Sequence, residues 1–315
     1  MANVALVQQA PIVLNKTDTL SLAVDIIADL ASQGTELIVF PEAFIPGYPA
    51  WIWRLRPGGD WGTCEALHTR LLRNSVSVGA GDLDPLMAAA RKHQVTVVCG
   101  FSERDPANSQ STLFNSVIVI GPDGAVINHH RKLMPTNPER MVWGFGDASG
   151  LNVVDTPAGK LGTLVCWENY MPLARYALYA QGIEVYIAPT YDSGEGWIGT
   201  LQHIAREGRC WVLGCGVALE RSDLPRDLPE LQALYPQEET WINPGDSVVI
   251  APGGEIVAGP LSNQKGYVTC EIDSSQAAAA KRALDITGHY SRPDLFTLEV
   301  DKRAQRSLVI TKNLS

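Results

Sequence analysis

The sequence predicts an α/β fold, a four-layer α-β-β-α sandwich in which two mixed β-sheets are flanked by helices. Apolar runs of strand length alternate with longer stretches of helical spacing along the 315 residues. Several neighbouring strands are joined by tight turns, as at 121–124 and 252–254, and such hairpins argue against a purely parallel, doubly wound sheet. Paired helices with paired strands between them fit two sheets stacked face to face beneath outer helices.

The N-terminal part supplies the first three elements. Residues 4–7 form a short apolar strand, and Asp18 is the predicted N-cap of a helix that runs to about residue 33. The run 37–40 is wholly apolar, as expected of a strand that is buried on both faces. Residues 45–81 are predicted to be irregular, and their large aromatic side chains need a pocket or another subunit to pack on.

The remaining elements are apolar runs bounded by turn residues. Further strands are predicted at 95–100, 113–120, 125–131, 151–155, 160–165, 185–188, 212–219, 247–251, 255–258 and 266–272. Helices are predicted at 83–93, from residue 172, at 197–210 and at 274–284. Residues 221–245, which are rich in proline and charge, are predicted to be a long excursion from the core.

Composition excludes several classes of function. The formal charge is 25 − 34 = −9 and no long basic run exists, so neither nucleic acid nor a membrane is an expected partner. The N-terminus lacks the pattern of a signal peptide, and no apolar run approaches the ~18–20 residues of a membrane span. The six cysteines form no Cys-x-x-Cys pair, which argues against zinc and dithiol sites and is typical of a cytoplasmic protein. We expect no metal and no cofactor.

Three side chains of complementary chemistry each stand at the end of a predicted strand: Glu42, Lys132 and Cys166. Ligands of open α/β folds bind at the carboxyl ends of strands, so we expect these side chains to lie together. The glutamate can take the thiol proton and later deliver a water, and the ammonium can stabilise negative charge. A helix from Pro172 would add its N-terminal dipole to the stabilisation of the thiolate. On this stretch alone, a buried and inert cysteine remains the alternative.

The stretches around these residues resemble the motifs of the nitrilase superfamily, and in particular of its nitrilase branch. The motifs are Phe40-Pro41-Glu42-Ala43-Phe44, His130-Arg131-Lys132-Leu133-Met134-Pro135-Thr136, Pro138-Glu139-Arg140, Cys166-Trp167-Glu168-Asn169 with Met171-Pro172, and Gly288-His289-Tyr290-Ser291-Arg292-Pro293-Asp294. The resemblance runs to about residue 296. It implies a hydrolase domain over 1–296 and leaves 297–315 as a tail at oligomer contacts.

The resemblance also implies a catalytic set of Glu42, Lys132 and Cys166. Glu139 matches the second glutamate of the family and is expected to position Lys132 or the attacking water. The implied reaction is hydrolysis of an organic nitrile to the carboxylic acid and ammonia, through a thioimidate and a thioester of Cys166. The family assembles through dimers into larger, often spiral, oligomers, so a homo-oligomer is expected.

The substrate contacts are expected to be aromatic. Trp167, Tyr48 and Tyr191 are the predicted substrate-binding residues, and their rings favour an aromatic or arylalkyl nitrile. Glu168 and Asn169 are expected to brace the cysteine turn by hydrogen bonds rather than to react.

Three alternatives stay open. An amidase or carbamoylase would use the same three residues on a C–N bond, and a variant that hydrates nitriles or cyanide would release the amide. A catalytically silent binding protein is the third, and the intact glutamate, lysine and cysteine argue against it. A cysteine–histidine dyad through His129, His130 or His203 is disfavoured, because the lysine–glutamate pair already supplies the base.

Overall fold

The computed structural model describes residues 1–56, 58–106, 109 and 111–304. Within these ranges the strands are β1 (Ala2–Gln8), β2 (Leu37–Val39), β3 (Thr96–Arg104), β4 (Leu113–Ile120), β5 (Val126–Arg131), β6 (Val153–Thr156), β7 (Gly159–Thr163), β8 (Val185–Thr190), β9 (Trp211–Gly216), β10 (Ala218–Glu220), β11 (Trp241–Ile250), β12 (Ile256–Ser262) and β13 (Gly266–Ile272). The helices are α1 (Lys16–Ser32), α2 (Trp61–Asn74), α3 (Asp84–His93), α4 (Pro172–Tyr179), α5 (Glu195–Gly208), α6 (Pro229–Gln232) and α7 (Ser275–Lys281).

The strands form two sheets, and both are mixed. The first has the order β13-β1-β2-β3-β4-β5, and the second has the order β10-β11-β9-β8-β7-β6 with β12 beside β11. In the first sheet β1, β2 and β3 run parallel, whereas β13, β4 and β5 pair antiparallel. In the second sheet β7, β8 and β9 run parallel, and the outer strands pair antiparallel.

Apolar side chains divide the molecule into layers. In β2 the side chains alternate: Leu37 and Val39 pack in the cluster between the two sheets, while Ile38 packs in the cluster beneath α1 and α3. A third cluster lies between the second sheet and the helices α4 and α5, where Leu178 and Leu201 are buried. Both faces of each sheet are therefore covered, and the predicted four-layer α-β-β-α sandwich is confirmed.

Helix α2 corrects the expectation that residues 45–81 are irregular. Its sequence is largely polar, and within it only Leu67 and Leu71 are buried. These two leucines pack with Tyr48 and Trp51 in a fourth cluster, which also includes Leu113 of β4 and Leu219 of β10. A largely polar helix that buries so few side chains gives little apolar signal in the sequence, which is the reason that the sequence did not predict it.

Several boundaries differ from those predicted. The N-cap of α1 is Asn15, whose side chain accepts the backbone N–H of Asp18 at 3.1 Å, so Asp18 lies inside the first turn. β7 ends at Thr163 rather than at residue 165. The predicted strand 212–219 is divided into β9 and β10, and β11 begins at residue 241, inside the predicted excursion.

The C-terminal segment returns to the body of the protein before the described residues end. Leu298 packs against the cluster beneath α4 and α5, and Lys302 Nζ donates to Asn152 Oδ1 at 2.7 Å. The remainder of the predicted tail, residues 305–315, lies outside the described residues. None of the described helices combines the length and the apolar character needed to cross a membrane.

Candidate active site

The three predicted residues meet where the ends of strands from both sheets converge. Glu42 lies three residues beyond β2, Lys132 follows β5 directly, and Cys166 lies three residues beyond β7. β2 and β5 belong to the first sheet and β7 to the second, so the site is built across the sandwich. Ala43 and Cys166 have φ of 49° and 52°, in the left-handed region that non-glycine residues rarely adopt. Such strained backbone persists where surrounding bonds over-determine it, and it concentrates at functional sites.

Glu42, Lys132 and Glu139 form a buried chain of ion pairs. Lys132 Nζ donates to Glu42 Oε1 at 2.7 Å and to Glu139 Oε2 at 2.8 Å. At most about one per cent of each of these three side chains is exposed. Glu139 also accepts the hydroxyl of Tyr48 and the backbone N–H of Thr136, both at 2.7 Å. One buried ammonium is therefore shared by two buried carboxylates.

Two further donors hold Glu42 in place, and the sequence did not predict them. Asn115 Nδ2 donates to Glu42 Oε1, and the backbone N–H of Tyr191 donates to Glu42 Oε2, both at 2.7 Å. Asn115 lies in β4, and the signal that marks it is the polar pair that it forms with Ser116 within an otherwise apolar strand. The contact with Tyr191 carries no sequence signal, because it is made by a backbone group 149 residues away.

Burial and the neighbouring charges together set the protonation states of Glu42 and Lys132. Burial is the largest influence on Glu42 and raises the pKa of its carboxyl, while Lys132 opposes the rise. Burial alone would lower the pKa of Lys132, yet Glu42, Cys166 and Glu139 together raise it above its ordinary value. Lys132 therefore remains an ammonium.

Burial also acts on the thiol of Cys166. Burial, followed by Glu42, raises the pKa of this thiol above its ordinary value, and Lys132 offsets the rise only in part. The helix dipole invoked from the sequence begins at Pro172, whereas Cys166 opens a 3₁₀ turn that ends at Tyr170. Cys166 is thus a thiol at rest and needs a neighbouring base to become a nucleophile.

Cys166 and Glu139 line one cavity of about 380 Å³. The three predicted substrate-binding residues Tyr48, Trp167 and Tyr191 line it as well. The rings of Tyr48 and Tyr191 stack with centroids 3.8 Å apart and planes inclined by 6°. Trp167 is 45% exposed, and its Nε1 donates to Asp192 Oδ2 at 2.8 Å. The lining residues that the sequence did not predict are Ala50, Trp53, Arg54, Thr136, Asp192, Tyr235 and Ile242.

The turn that carries Cys166 is braced as the sequence predicted. Asn169 Nδ2 donates to the carbonyls of Leu164 and Cys166 at 3.0 and 2.7 Å. Glu168 accepts the backbone N–H of Val165 at 2.7 Å, and His130 Nε2 lies 3.1 Å from the same carboxylate. Among the residues that the structure describes, no three His, Cys, Asp or Glu side chains lie together as a metal site would require.

Comparison with known proteins shows the family to which the chain belongs. The sequence profile described as carbon-nitrogen hydrolase matches residues 3–282, and the chain belongs to this family. The solved carbon-nitrogen hydrolase from Helicobacter pylori superposes with a TM-score of 0.71 at 20% identity, covering 94% of this chain and 96% of that one, which shows the shared fold.

Two curated relatives place the chain more narrowly. It is 37% identical to a bifunctional nitrilase/nitrile hydratase from Lupinus angustifolius, over 97% of this chain and 87% of that protein. It is 36% identical to an aliphatic nitrilase from Sinorhizobium fredii, over 98% of each chain. Within the family the chain therefore belongs to the nitrilase branch.

Proposed function

We propose that the protein is a nitrilase, which hydrolyses an organic nitrile to the carboxylic acid and ammonia. The observation that carries the proposal is a buried cysteine thiol that shares its cavity with Glu139 and feels the charges of Glu42 and Lys132, the other two members of the ion-pair chain. A thiol supplies the nucleophile, Glu42 supplies the base, and Lys132 supplies the positive charge that the nitrile nitrogen needs as it is attacked. Membership of the nitrilase branch supports the same activity.

The first half of the proposed reaction forms a covalent adduct. Glu42 takes the proton of Cys166 while the sulfur forms a bond to the nitrile carbon, and the π bond of the nitrile opens toward nitrogen. Lys132 stabilises the charge that develops on this nitrogen, and Glu42 then passes it the proton. The product is a thioimidate of Cys166, in which all the atoms of the nitrile are retained.

The second half of the proposed reaction breaks the bond to nitrogen and then the bond to sulfur. A water adds to the thioimidate carbon, the C–N bond breaks and ammonia leaves, so that a thioester of Cys166 remains. A second water, activated by Glu42, adds to the thioester, and the C–S bond breaks. The acid is released, and Glu42 passes the proton that it took from this water to the Cys166 sulfur. Two waters are consumed for each acid and ammonia formed, and Glu139 holds Lys132 throughout.

We infer that the substrate is an aromatic or arylalkyl nitrile. Aromatic rings supply much of the cavity wall, from Tyr48, Tyr191, Trp167 and Trp53. Flat rings of this kind bind a second aromatic ring by stacking or by edge contacts. A cavity of about 380 Å³ falls within the range of small-ligand sites.

A panel of nitriles tests the reaction and the substrate class together. Phenylacetonitrile and a straight-chain aliphatic nitrile would be compared, with ammonia, acid and amide measured in each case. We expect ammonia and acid in equal amounts and a higher kcat/KM for the aromatic member. Amide as the main product would favour the nitrile-hydrating alternative, which the relative from Lupinus angustifolius supports. Turnover of phenylacetamide but not of the nitrile would favour an amidase.

Replacement of the nucleophile is the matched control for that panel. Cys166→Ala should abolish turnover and leave the fold intact, because no other cysteine lines the described cavity. Cys64→Ala and Cys270→Ala should remain active, since both side chains lie at partly exposed positions elsewhere. Acid production by a folded Cys166→Ala variant would contradict the covalent mechanism.

We also propose that the protein forms a homo-oligomer and acts in the cytoplasm. Large apolar side chains are exposed on α4 and in the C-terminal segment, at Leu173, Tyr290, Leu295 and Phe296. Exposed apolar surface of this kind is typical of a subunit interface. Deletion of residues 290–315, which removes Tyr290, Leu295 and Phe296, should lower the mass measured by light scattering, and an unchanged mass would exclude this segment from the interface. The six scattered cysteines, which form no Cys-x-x-Cys pair, support the cytoplasmic location.

A further inference from the structure

Glu168 is a buried carboxylate for which the proposed reaction has no chemical use. It lies two residues beyond Cys166, its side chain is fully buried, and it does not line the cavity. Its oxygens accept the backbone N–H of Val165 at 2.7 Å and the backbone N–H of Leu133 at 2.6 Å. Burying a carboxylate is costly unless several donors satisfy it, so these bonds are a substantial part of the local structure.

The donors to Glu168 come from two different layers of the sandwich. Val165 precedes the proposed nucleophile and follows β7 of the second sheet, whereas Leu133 follows Lys132 and β5 of the first sheet. His130 Nε2, in β5, lies 3.1 Å and 3.2 Å from the two oxygens of the same carboxylate. A single side chain thus ties the turn that carries the thiol to the turn that carries the ammonium.

The geometry of the thiol depends on such restraints. Cys166 has a φ of 52°, which an L-residue adopts only when its surroundings enforce it. The sulfur and the ammonium stand on separate sheets, so their separation is set by whatever joins the two turns. Catalysis by oriented groups is sensitive to displacements of about 1 Å.

We propose that Glu168 is a positioning residue, which sets the separation and orientation of the Cys166 thiol relative to Lys132 by joining their two turns across the sandwich. It acts through Val165 and Leu133 and touches neither the substrate nor the reacting atoms. The inference deepens the proposed nitrilase function and rests on it for the identity of the nucleophile and the ammonium.

Glu168→Gln is the direct test, because it keeps the size of the side chain. An amide offers one oxygen acceptor and places an N–H₂ group against the other backbone N–H, so one of the two turn bonds is lost. Glu184→Gln is the matched control: Glu184 Oε2 accepts the backbone N–H of Lys160 at 2.9 Å, at the opposite end of β7. The control makes the same substitution at a carboxylate that accepts a backbone N–H of the same strand but has no connection to the site.

Two readouts are needed, kinetics with a nitrile and the rate of Cys166 alkylation by iodoacetamide as a function of pH. We expect Glu168→Gln to lower kcat by about 10²-fold with KM nearly unchanged, and to alter the pH profile of alkylation. Glu184→Gln should match the wild type in both. Wild-type kinetics and alkylation in Glu168→Gln, or equal losses in both variants, would overturn the proposal.

A second pair of variants avoids the risk that Glu168→Gln does not fold. His130→Asn withdraws the donor from Glu168, whereas His130→Gln can place an amide N–H near the position of Nε2. The Asn variant should shift kcat and alkylation in the direction expected for Glu168→Gln, and the Gln variant should restore them. Identical behaviour of the two would contradict the proposal.

Alkylation of Cys166 does not depend on nitrile hydrolysis. If the wild-type protein is alkylated at Cys166 but hydrolyses no nitrile, the proposed function is refuted and the positioning role of Glu168 is not.

Discussion

Two neighbouring cationic residues at the end of β5, Arg131 and Lys132, each pair with a buried glutamate, yet the pKa values of the two glutamates shift in opposite directions. Arg131 Nε donates to Glu103 Oε2 at 2.9 Å, and its Nη2 also reaches Asp105 at 2.6 Å. Lys132 Nζ donates to Glu42 at 2.7 Å. Burial opposes ionisation of both glutamates, but Arg131 overcomes it and holds the pKa of Glu103 at about 2, whereas the pKa of Glu42 is raised.

The geometry of the cations accounts for the difference. The Arg131 guanidinium is 17% exposed and binds Glu103 through two nitrogens, and His129 adds a further contact to the same carboxylate. The Lys132 ammonium has no exposure and is divided between Glu42 and a second carboxylate. The two donor nitrogens of Arg131 keep Glu103 ionised. The single, fully buried ammonium of Lys132 is shared between two carboxylates, so Glu42 can accept a proton more readily.

The same substitution in the two glutamates should have opposite consequences. Glu42→Gln removes the proposed base, so kcat should fall by about 10²–10⁴-fold. The free energy of unfolding should change little, because burial already disfavours the ionised form of Glu42 and Lys132 keeps Glu139 as a partner. Glu103→Gln should keep a rate near that of the wild type but lose roughly 3 kcal/mol of stability, because it leaves Arg131 without its main partner. Steady-state kinetics and urea unfolding measure both quantities. A rate loss in Glu103→Gln equal to that in Glu42→Gln would show that the two pairs do not differ in function.

A smaller effect is expected at the other end of the Lys132 chain. Glu139→Gln removes the charge but can keep a hydrogen bond, so kcat should fall by about ten- to a hundredfold. Because its proposed role is to orient Lys132, a covalent adduct should still form, only more slowly. Rates of adduct formation and of acid release would be measured separately. A loss as large as that of Glu42→Gln would assign Glu139 to proton transfer instead.

The smallest expected effect is a pH dependence of the free energy of unfolding that is caused by the ionisation of Glu103. Its pKa is about 2 in the folded protein and 4.5 ordinarily, so its contribution is complete above about pH 4.5 and is lost as the pH falls toward 2. The stability difference between the wild type and Glu103→Gln should therefore shrink by about 1.4 kcal/mol per pH unit below about pH 4.5. Urea unfolding at several pH values measures this difference, and a difference that stays constant would contradict the assigned pairing.

The sequence predicted the strands that carry the site because the information is local. Runs such as 37–40 are apolar over their whole length, and the polar residues that end them mark one edge of a sheet. Glu42, Lys132, Glu139 and Cys166 were placed together on that basis, with the resemblance, and the structure brings them together.

The features that the sequence did not predict depend on contacts between distant parts of the chain. Asn115 and the backbone of Tyr191 reach Glu42 across 73 and 149 residues. The rise in the pKa of Cys166 was not predicted, because burial is a property of the packed fold and its effect exceeds that of the nearby lysine. Helix α2 was missed because packing of two leucines, rather than a wide apolar face, holds it in place.

The most direct test of the account is rapid-quench mass spectrometry of the intact protein after mixing with a nitrile. Wild type should carry an adduct that peptide mapping places on Cys166, with the mass of the whole nitrile if the thioimidate accumulates. Lys132→Met should show no adduct, because the charge that develops on the nitrile nitrogen is left uncompensated in a buried site. Arg131→Met, at the adjacent residue, should acquire the adduct as the wild type does. An adduct in Lys132→Met at the wild-type rate would contradict the role proposed for this lysine, and an adduct on any other residue would contradict the assignment of the nucleophile.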